Sequence, residues 1–179
     1  MPLTKTELTS LLSEPRMAHL ATTSTKGRPQ VSPIWFVYDQ GCFYFTTRLG
    51  RIKSNHIQQN PNVSLSIATD NRPYRAVCAF GKARLVQKDR DKWLERISFR
   101  YGEQEGRSWL TEAVKQDGRV VFKLQPDRVL SWDYGRDDAE RQERGESMIT
   151  PDGLTNLHHP RFLNARFLVS VSFLRVFLK

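Results

Sequence analysis

The stretch Phe43-Tyr44-Phe45-Thr46-Thr47-Arg48-Leu49-Gly50-Arg51-Ile52-Lys53 holds the densest potential chemistry in the chain. A β-prone run ends in two hydroxyls, a glycine turn follows, and Arg51 and Lys53 fall where a short helix begins. A helix N-terminus offers unpaired N–H groups and partial positive charge, so a phosphate is well accommodated there. Thr46 and Thr47 can donate further hydrogen bonds. Cations at the positive end of a helix dipole cost stability, and a bound anion would offset that cost. A solvated basic turn would use the same residues.

A second stretch, Gly27-Arg28-Pro29-Gln30-Val31-Ser32-Pro33-Ile34-Trp35-Phe36, offers a different chemistry. Ser32 and the backbone near Pro33 can hydrogen-bond the edge of a planar ring, with Trp35 or Phe36 flanking it. A packed core strand explains the same aromatic spacing. Tyr44, Tyr74 and His56 are possible proton donors, although packing is the stronger reading of each. The histidines are His19, His56, His158 and His159, and the cysteines are Cys42 and Cys78. His19 reads as a packing residue and the two cysteines as small buried hydrophobes. Their scatter gives a metal site little support.

The whole chain has to position these stretches. Its 179 residues suit one compact domain, or one domain with an appended segment. At 39% hydrophobic residues, a core is available. Two cysteines exclude a disulfide framework. The absence of an N-terminal apolar run predicts a cytoplasmic protein, and no apolar stretch is long enough for a spanning helix. The net charge of +9 draws anions of any kind. No helix-turn-helix, zinc-finger or aromatic RNA-binding signature accompanies it, so nucleic acid is not expected as a partner.

Thr4 and Glu7 stand in capping-box register ahead of Leu8, Leu11 and Leu12, and Pro15 stops that helix. Strands are predicted over 16–23, 29–38 and 42–47, with Gly27 and Gly41 in the turns between them. Pro33 implies a bulge or an edge in the second strand. Residues 50–60 predict a short helix ended by Asn60-Pro61. In 63–68 Val63, Leu65 and Ile67 alternate inward. A long strand over 76–86 would bend at Gly81. Residues 89–116 read as two helices parted by Gly102 and Gly106, and two strands follow over 119–125 and 128–134 with Pro126-Asp127 as a turn. Long antiparallel neighbours that are apolar on both faces point to a closed barrel. From 136 the chain turns charged and reads as solvated. The apolar run 165–178 is left open as a strand, an interfacial segment, a subunit contact or a non-native end produced by an altered reading frame. The expected organisation is therefore a domain over 1–135 and a charged linker and tail over 136–179.

In combination these pieces resemble the flavin and deazaflavin split-barrel proteins of the pyridoxamine-phosphate-oxidase-like group. Leu20-Ala21-Thr22, Gly27-Arg28-Pro29, Val31 to Phe36, Tyr44 to Thr47, Arg51-Ile52-Lys53 and Asn60-Pro61 carry the resemblance. Arg72-Pro73-Tyr74, Gly81-Lys82-Ala83 and Val129-Leu130-Ser131-Trp132 extend it to roughly residues 4–135.

The resemblance implies a mainly β fold with α: a six-stranded split barrel with Greek-key-like connections and flanking helices. It would act as a homodimer with FMN or coenzyme F420 between subunits. By similarity Ser32, Pro33, Ile34 and Trp35 would run beside the cofactor ring. Thr46, Thr47, Arg51 and Lys53 would hold the phosphate. Trp132 and residues 72–75 would approach from the partner subunit or line the substrate side. The implied activity is hydride transfer between the cofactor and a small molecule. The alternative is a flavin- or heme-binding protein without turnover. Pyridoxamine-phosphate oxidases proper read Ser-Arg-Lys where this chain has Arg51-Ile52-Lys53. That departure points away from pyridoxamine phosphate and toward the F420-using branch.

Overall fold

A computed structural model describes residues 1–144. The elements are α1 (Lys5–Ser13), β1 (Ala18–Thr23), β2 (Pro29–Ile34), β3 (Phe36–Asp39), β4 (Cys42–Arg48), α2 (Ile52–Gln59), β5 (Asn62–Ala68), β6 (Arg75–Leu85), α3 (Arg90–Phe99), α4 (Glu103–Lys115), β7 (Arg119–Asp133) and α5 (Tyr134–Glu143). The capping box forms as the sequence predicts. The Glu7 N–H donates to the Thr4 hydroxyl, and the Glu7 carboxylate accepts from the Thr4 N–H at 2.8 Å. α1 then buries Leu11 and Leu12 and ends at Ser13, with Glu14 extended ahead of Pro15.

All strand pairs are antiparallel, and one sheet runs β2-β1-β5-β6-β7-β4-β3. Its two outermost strands are consecutive in the chain and separated by Trp35 alone. The sheet therefore curls until its ends meet at that residue, which makes a barrel split along one seam. β2 pairs only with β1, so Pro33 lies on an edge strand and removes no ladder bond from the middle of the sheet.

The sheet has seven strands where the resemblance implies six, and two local events redraw the expected boundaries. The run 29–38 breaks at Trp35. There the Phe36 N–H donates to the Tyr101 hydroxyl (3.0 Å), and that hydroxyl donates to the Arg16 carbonyl (2.8 Å). The indole of Trp35 stacks on Tyr101 at 4.6 Å and 7°. The expected strands 119–125 and 128–134 instead continue as one strand, β7. Pro126-Asp127 makes no turn, because β6 remains paired with β7 through a register shift between Phe80 and Gly81. A Cβ at Gly81 would lie 2.8 Å from the Pro126 Cα, so only glycine admits this crossing.

The barrel interior is filled by Leu20, Phe36, Phe43, Phe45, Leu65 and Phe122, all nearly inaccessible. A second apolar layer lies between β4–β7 and the α3–α4 pair. There Tyr44 stacks on Trp93 (3.5 Å), and Leu94, Ile97 and Val121 are buried. Gly102 parts the two helices as expected. Gly106 lies inside α4, where a Cβ would come 2.6 Å from the Ser98 carbonyl oxygen; it lets α4 close onto α3. His19 is exposed rather than packed, because it alternates outward from buried Ala18 and Leu20. The start of the charged segment is likewise not simply solvated. α5 covers 134–143, capped by Asp133, which accepts from the Gly135 and Arg136 N–H groups. The apolar run 165–178 lies outside the described residues.

Candidate anion and ring site at the β4–α2 rim

The end of β4, the Gly50 turn and the start of α2 form one rim. Gly50 sits at φ +79°, a left-handed conformation that lets the chain reverse between Arg48 and Arg51. Arg51 is the N-cap of α2 and supplies no side-chain cap; its carbonyl accepts from the Ser54 hydroxyl at 2.8 Å. No acid stands in the first turn. Residues before β7 join the same rim, where the Leu49 N–H donates to the Gly118 carbonyl at 2.8 Å. In the ladder Arg48 stands directly opposite Arg119.

Four cations thus crowd one edge. Lys53 is half-buried and its ammonium is held below its ordinary pKa, first by burial and then by Arg51. Arg119 is shifted down by burial, then by Arg48 and Arg51. Arg119 donates to the Gln116 side chain and lies over the Trp109 ring at 5.4 Å, yet its Nε is buried without a partner. Among the described residues, none of Arg48, Arg51, Lys53 and Arg119 forms an ion pair. Like charges opposite one another on a sheet are destabilising, and half-buried cations without partners carry a desolvation cost. An anion in this position would relieve both.

The two threonines differ. Thr47 is buried at 5% exposure and its hydroxyl makes no hydrogen bond among the described residues. Thr46 points to the other face of β4, and its hydroxyl donates to the Val120 carbonyl at 2.9 Å. Its single proton is committed, so in this arrangement it has none left to donate to an anion.

On β2 the side chains at 30, 32 and 34 point inward while 29, 31 and 33 face out. The Ser32 Oγ and the Gln30 Oε1 are buried without hydrogen-bond partners. Orphaned buried acceptors are rare and call for a ligand or water. Gln30 faces Thr22 across the ladder, and the Thr22 hydroxyl lies 3.1 Å from His56 Nδ1 on α2, so this orphan pair and the α2 helix belong to one neighbourhood. Ile34 is a core residue whose side chain faces the barrel interior, which leaves its backbone for a ligand. Pro33 is exposed, and Trp35 packs on Tyr101 and Trp109.

Trp132 is not brought to the rim within one chain. It pairs with Ala76 toward the far end of β7, while Arg119 opens that strand, and ~3.3 Å per residue puts about 40 Å of strand contour between them. Hollows of about 650 Å³ beside Arg72 and Tyr74 and about 330 Å³ beside Thr22 and Gly81 are lined by neither Thr47, Arg51 nor Lys53. Arg48, Arg119 and Gln30 belong to these groupings but carry no local motif. Only the pairing of β4 with β7 and of β1 with β2 places them. Among the described residues no group of three or more His, Cys, Asp or Glu is placed to hold a metal ion. No helix among them is long and apolar enough to cross a membrane.

The family model for pyridoxamine 5'-phosphate oxidase matches residues 4–133. The chain belongs to that family. The match ends at the last residue of β7, so it takes in the barrel and stops where α5 begins. The chain is 28% identical over 132 residues to heme oxygenase HutZ of Vibrio cholerae, covering 69% of this chain and 73% of that one. A solved F420 reductase is 27% identical, covers 67% of this chain and 93% of its own, and superposes with a TM-score of 0.54. A conserved hypothetical protein of Mycobacterium tuberculosis shares the fold at a TM-score of 0.63, with 20% identity, 86% of this chain and 94% of its own covered. Family membership agrees with the split barrel and with the resemblance carried by the sequence.

Proposed function

We propose that this family member is an FMN- or F420-dependent oxidoreductase that acts on a small molecule as a cytoplasmic homodimer, with the cofactor's phosphate arm on the β4–α2 rim. The observation that carries the reading is the set of four unpaired cations, Arg48, Arg51, Lys53 and Arg119, around an uncapped helix start. A phosphate carries the opposite charge and matches the free N–H groups there.

The residues present fit such a cofactor. Arg51 and Lys53 would neutralise the arm, the free hydroxyl of Thr47 would donate to it, and Arg48 with Arg119 would close the far side. Ser32 and the β2 backbone at Pro33 and Ile34 would meet the ring edge, because the Ser32 Oγ lacks a partner of its own. When bound, the cofactor supplies the hydride chemistry. The chain's part is to orient the ring, hold its charge and keep water away. No side chain needs to serve as a dedicated acid or base. Free Cys42 and Cys78 are compatible with a reducing compartment.

A homodimer is supported by the outward face of β2, β1, β5 and β6. One ladder row there reads Val31, Ala21, Ser64, Phe80, and Val31 is 62% exposed. Such a row, uncharged until Arg128 on β7 closes it over the Phe80 ring at 5.5 Å, suits a second copy of the same sheet. In a dimer, Trp132 and residues 72–75 of one copy would be free to approach the rim of the other.

A titration with FMN, F420 and heme in parallel, read by absorbance, tests the proposal. FMN or F420 should bind to the native chain and bind far more weakly to Arg51→Ala and Lys53→Ala. Native affinity in both variants would remove the phosphate assignment. A second reading, heme binding without hydride transfer, draws on the HutZ relative and the exposed imidazole of His19. A Soret band with heme and no flavin or deazaflavin binding would decide for it.

A further inference from the structure

Where the turn before β6 meets the start of α5, a hollow of about 650 Å³ is lined by Arg72, Pro73, Tyr74, Tyr134 and Asp138. Its framework is held firmly. The Tyr134 N–H donates to the Tyr74 carbonyl at 2.9 Å, which fixes the two tyrosines side by side. Gly135 lets α5 start directly against Pro73, since a Cβ there would come 2.6 Å from the Pro73 Cβ. Asp133, buried at 8% exposure, caps α5 through the Gly135 and Arg136 N–H groups.

The lining differs from the framework. Tyr74 and Tyr134 are 44% and 45% exposed, so part of each ring is open to a ligand. The Arg72 guanidinium lies over the Tyr74 ring at 5.7 Å and has no ion-pair partner among the described residues. Asp138, on the α5 side, is likewise free of any ion pair, whereas its neighbour Asp137 is taken by the Met1 ammonium. Two aromatic walls, a guanidinium without an ion pair that already lies over one of them, and a carboxylate without an ion pair, all on a fixed frame, are the parts of a small-molecule site.

We infer that this hollow binds a small planar aromatic molecule carrying a carboxylate, with a hydrogen-bond donor at its other end. The ring lies against Tyr74 and Tyr134, Arg72 takes the carboxylate in a forked, charge-assisted contact, and Asp138 accepts from the donor. The lining residues all belong to one chain, and none of Arg48, Arg51, Lys53 and Arg119 is among them, so binding here can be measured on the chain without a cofactor.

The probe is 4-aminobenzoate, titrated against the full chain by isothermal calorimetry with saturation-transfer NMR as a second readout. Binding with a Kd near ~1 mM or tighter is expected for a ligand of this size. Cyclohexanecarboxylate, which lacks the flat ring, should bind at least ~5-fold more weakly, as should aniline, which lacks the carboxylate. Arg72→Ala and Tyr134→Ala should each weaken 4-aminobenzoate ~5–10-fold, with Tyr134→Phe close to native. Arg107→Ala, on α4, should leave affinity unchanged. Because Arg72 and Tyr134 are exposed, both variants should melt as the native chain does, which separates loss of the site from loss of the fold. No binding to the native chain, or equal binding by native, Arg72→Ala and Tyr134→Ala, overturns the inference. A parallel FMN and F420 titration of the native chain and of Lys53→Ala reads the rim, so failure of the rim and failure of the hollow are told apart.

Discussion

Two charge-rich regions of this molecule treat their cations in opposite ways. Around α1 and α5, cations meet acids. Arg136 pairs with Glu7 and with Asp133 (3.1 Å), Arg16 pairs with Glu14 and Asp70 (2.7 Å each), and the Met1 ammonium meets Asp137. At the β4–α2 rim, Arg48, Arg51, Lys53 and Arg119 have no acid at all. The first region spends its charges on tying the N-terminal helix to the end of the barrel. The second leaves its cations without acids, with Lys53 and Arg119 partly desolvated, an arrangement that costs stability unless a ligand completes it. Net charge alone, +9, does not distinguish the two regions; pairing does.

The contrast breaks most visibly in ligand affinity. Charge-assisted hydrogen bonds are worth ~1.5–3 kcal/mol each, so Lys53→Met should weaken FMN or F420 binding ~10–100-fold in the absorbance titration. Arg136→Ala, in the paired region, should leave that affinity unchanged. Equal losses in both variants would mean that general charge, not the rim, attracts the anion.

Stability should respond in the reverse order. Asp133→Ala removes the cap of α5 and should cost ~1 kcal/mol, seen as a lower melting temperature. Lys53→Met removes a half-buried, repelled cation and should raise the melting temperature of the ligand-free chain. A fall in Lys53→Met would show that the rim already compensates its own charge.

Inorganic phosphate extends the same test. At millimolar concentration it should raise the melting temperature of the native chain, by binding the folded state alone. The rise should shrink in Lys53→Met and persist in Asp133→Ala.

The smallest effect is a pH dependence in the paired region. The Glu7 carboxyl is pulled down from 4.5 to about 2 by the Thr4 N–H, then by the Thr4 hydroxyl and Arg136. A depressed carboxylate pKa means that its contribution is complete above ~4.5 and is lost as pH falls toward 2. Melting temperatures measured from pH 6 down to 2.5 should therefore fall less steeply in Glu7→Gln than in the native chain. Parallel curves would remove Glu7 from the acid response.

Much of this was legible in the residues, and where it was not the reason is specific. The capping box at Thr4 and Glu7, the inward alternation of Val63, Leu65 and Ile67, and the short helix opened by Arg51 all rest on contacts a few residues apart. Pro126-Asp127 misled, because a pair that favours a turn in isolation is held straight by pairing with β6 at Gly81. Trp35 was readable as an aromatic at strand spacing. That it ends one strand and opens the next depends on Tyr101, far along the chain.

The candidate site divides along the same line. Arg51, Lys53 and Thr47 could be picked out because a hydroxyl, a glycine turn and two cations at a helix start are local chemistry. Arg48 acquired its partner, Arg119, only when β4 paired with β7, and Ser32 was seen to lack a hydrogen bond only once β2 lay against β1. Local backbone preferences and side-chain periodicity act over a few residues, so the sequence alone determined α1 to α4 and most strands, but not α5, whose cap Asp133 was read as part of a strand. Which cations stand together, which polar atoms are left unsatisfied, and which strand ends lie too far apart to meet within one chain are matters of long-range pairing. Those the tertiary structure decided.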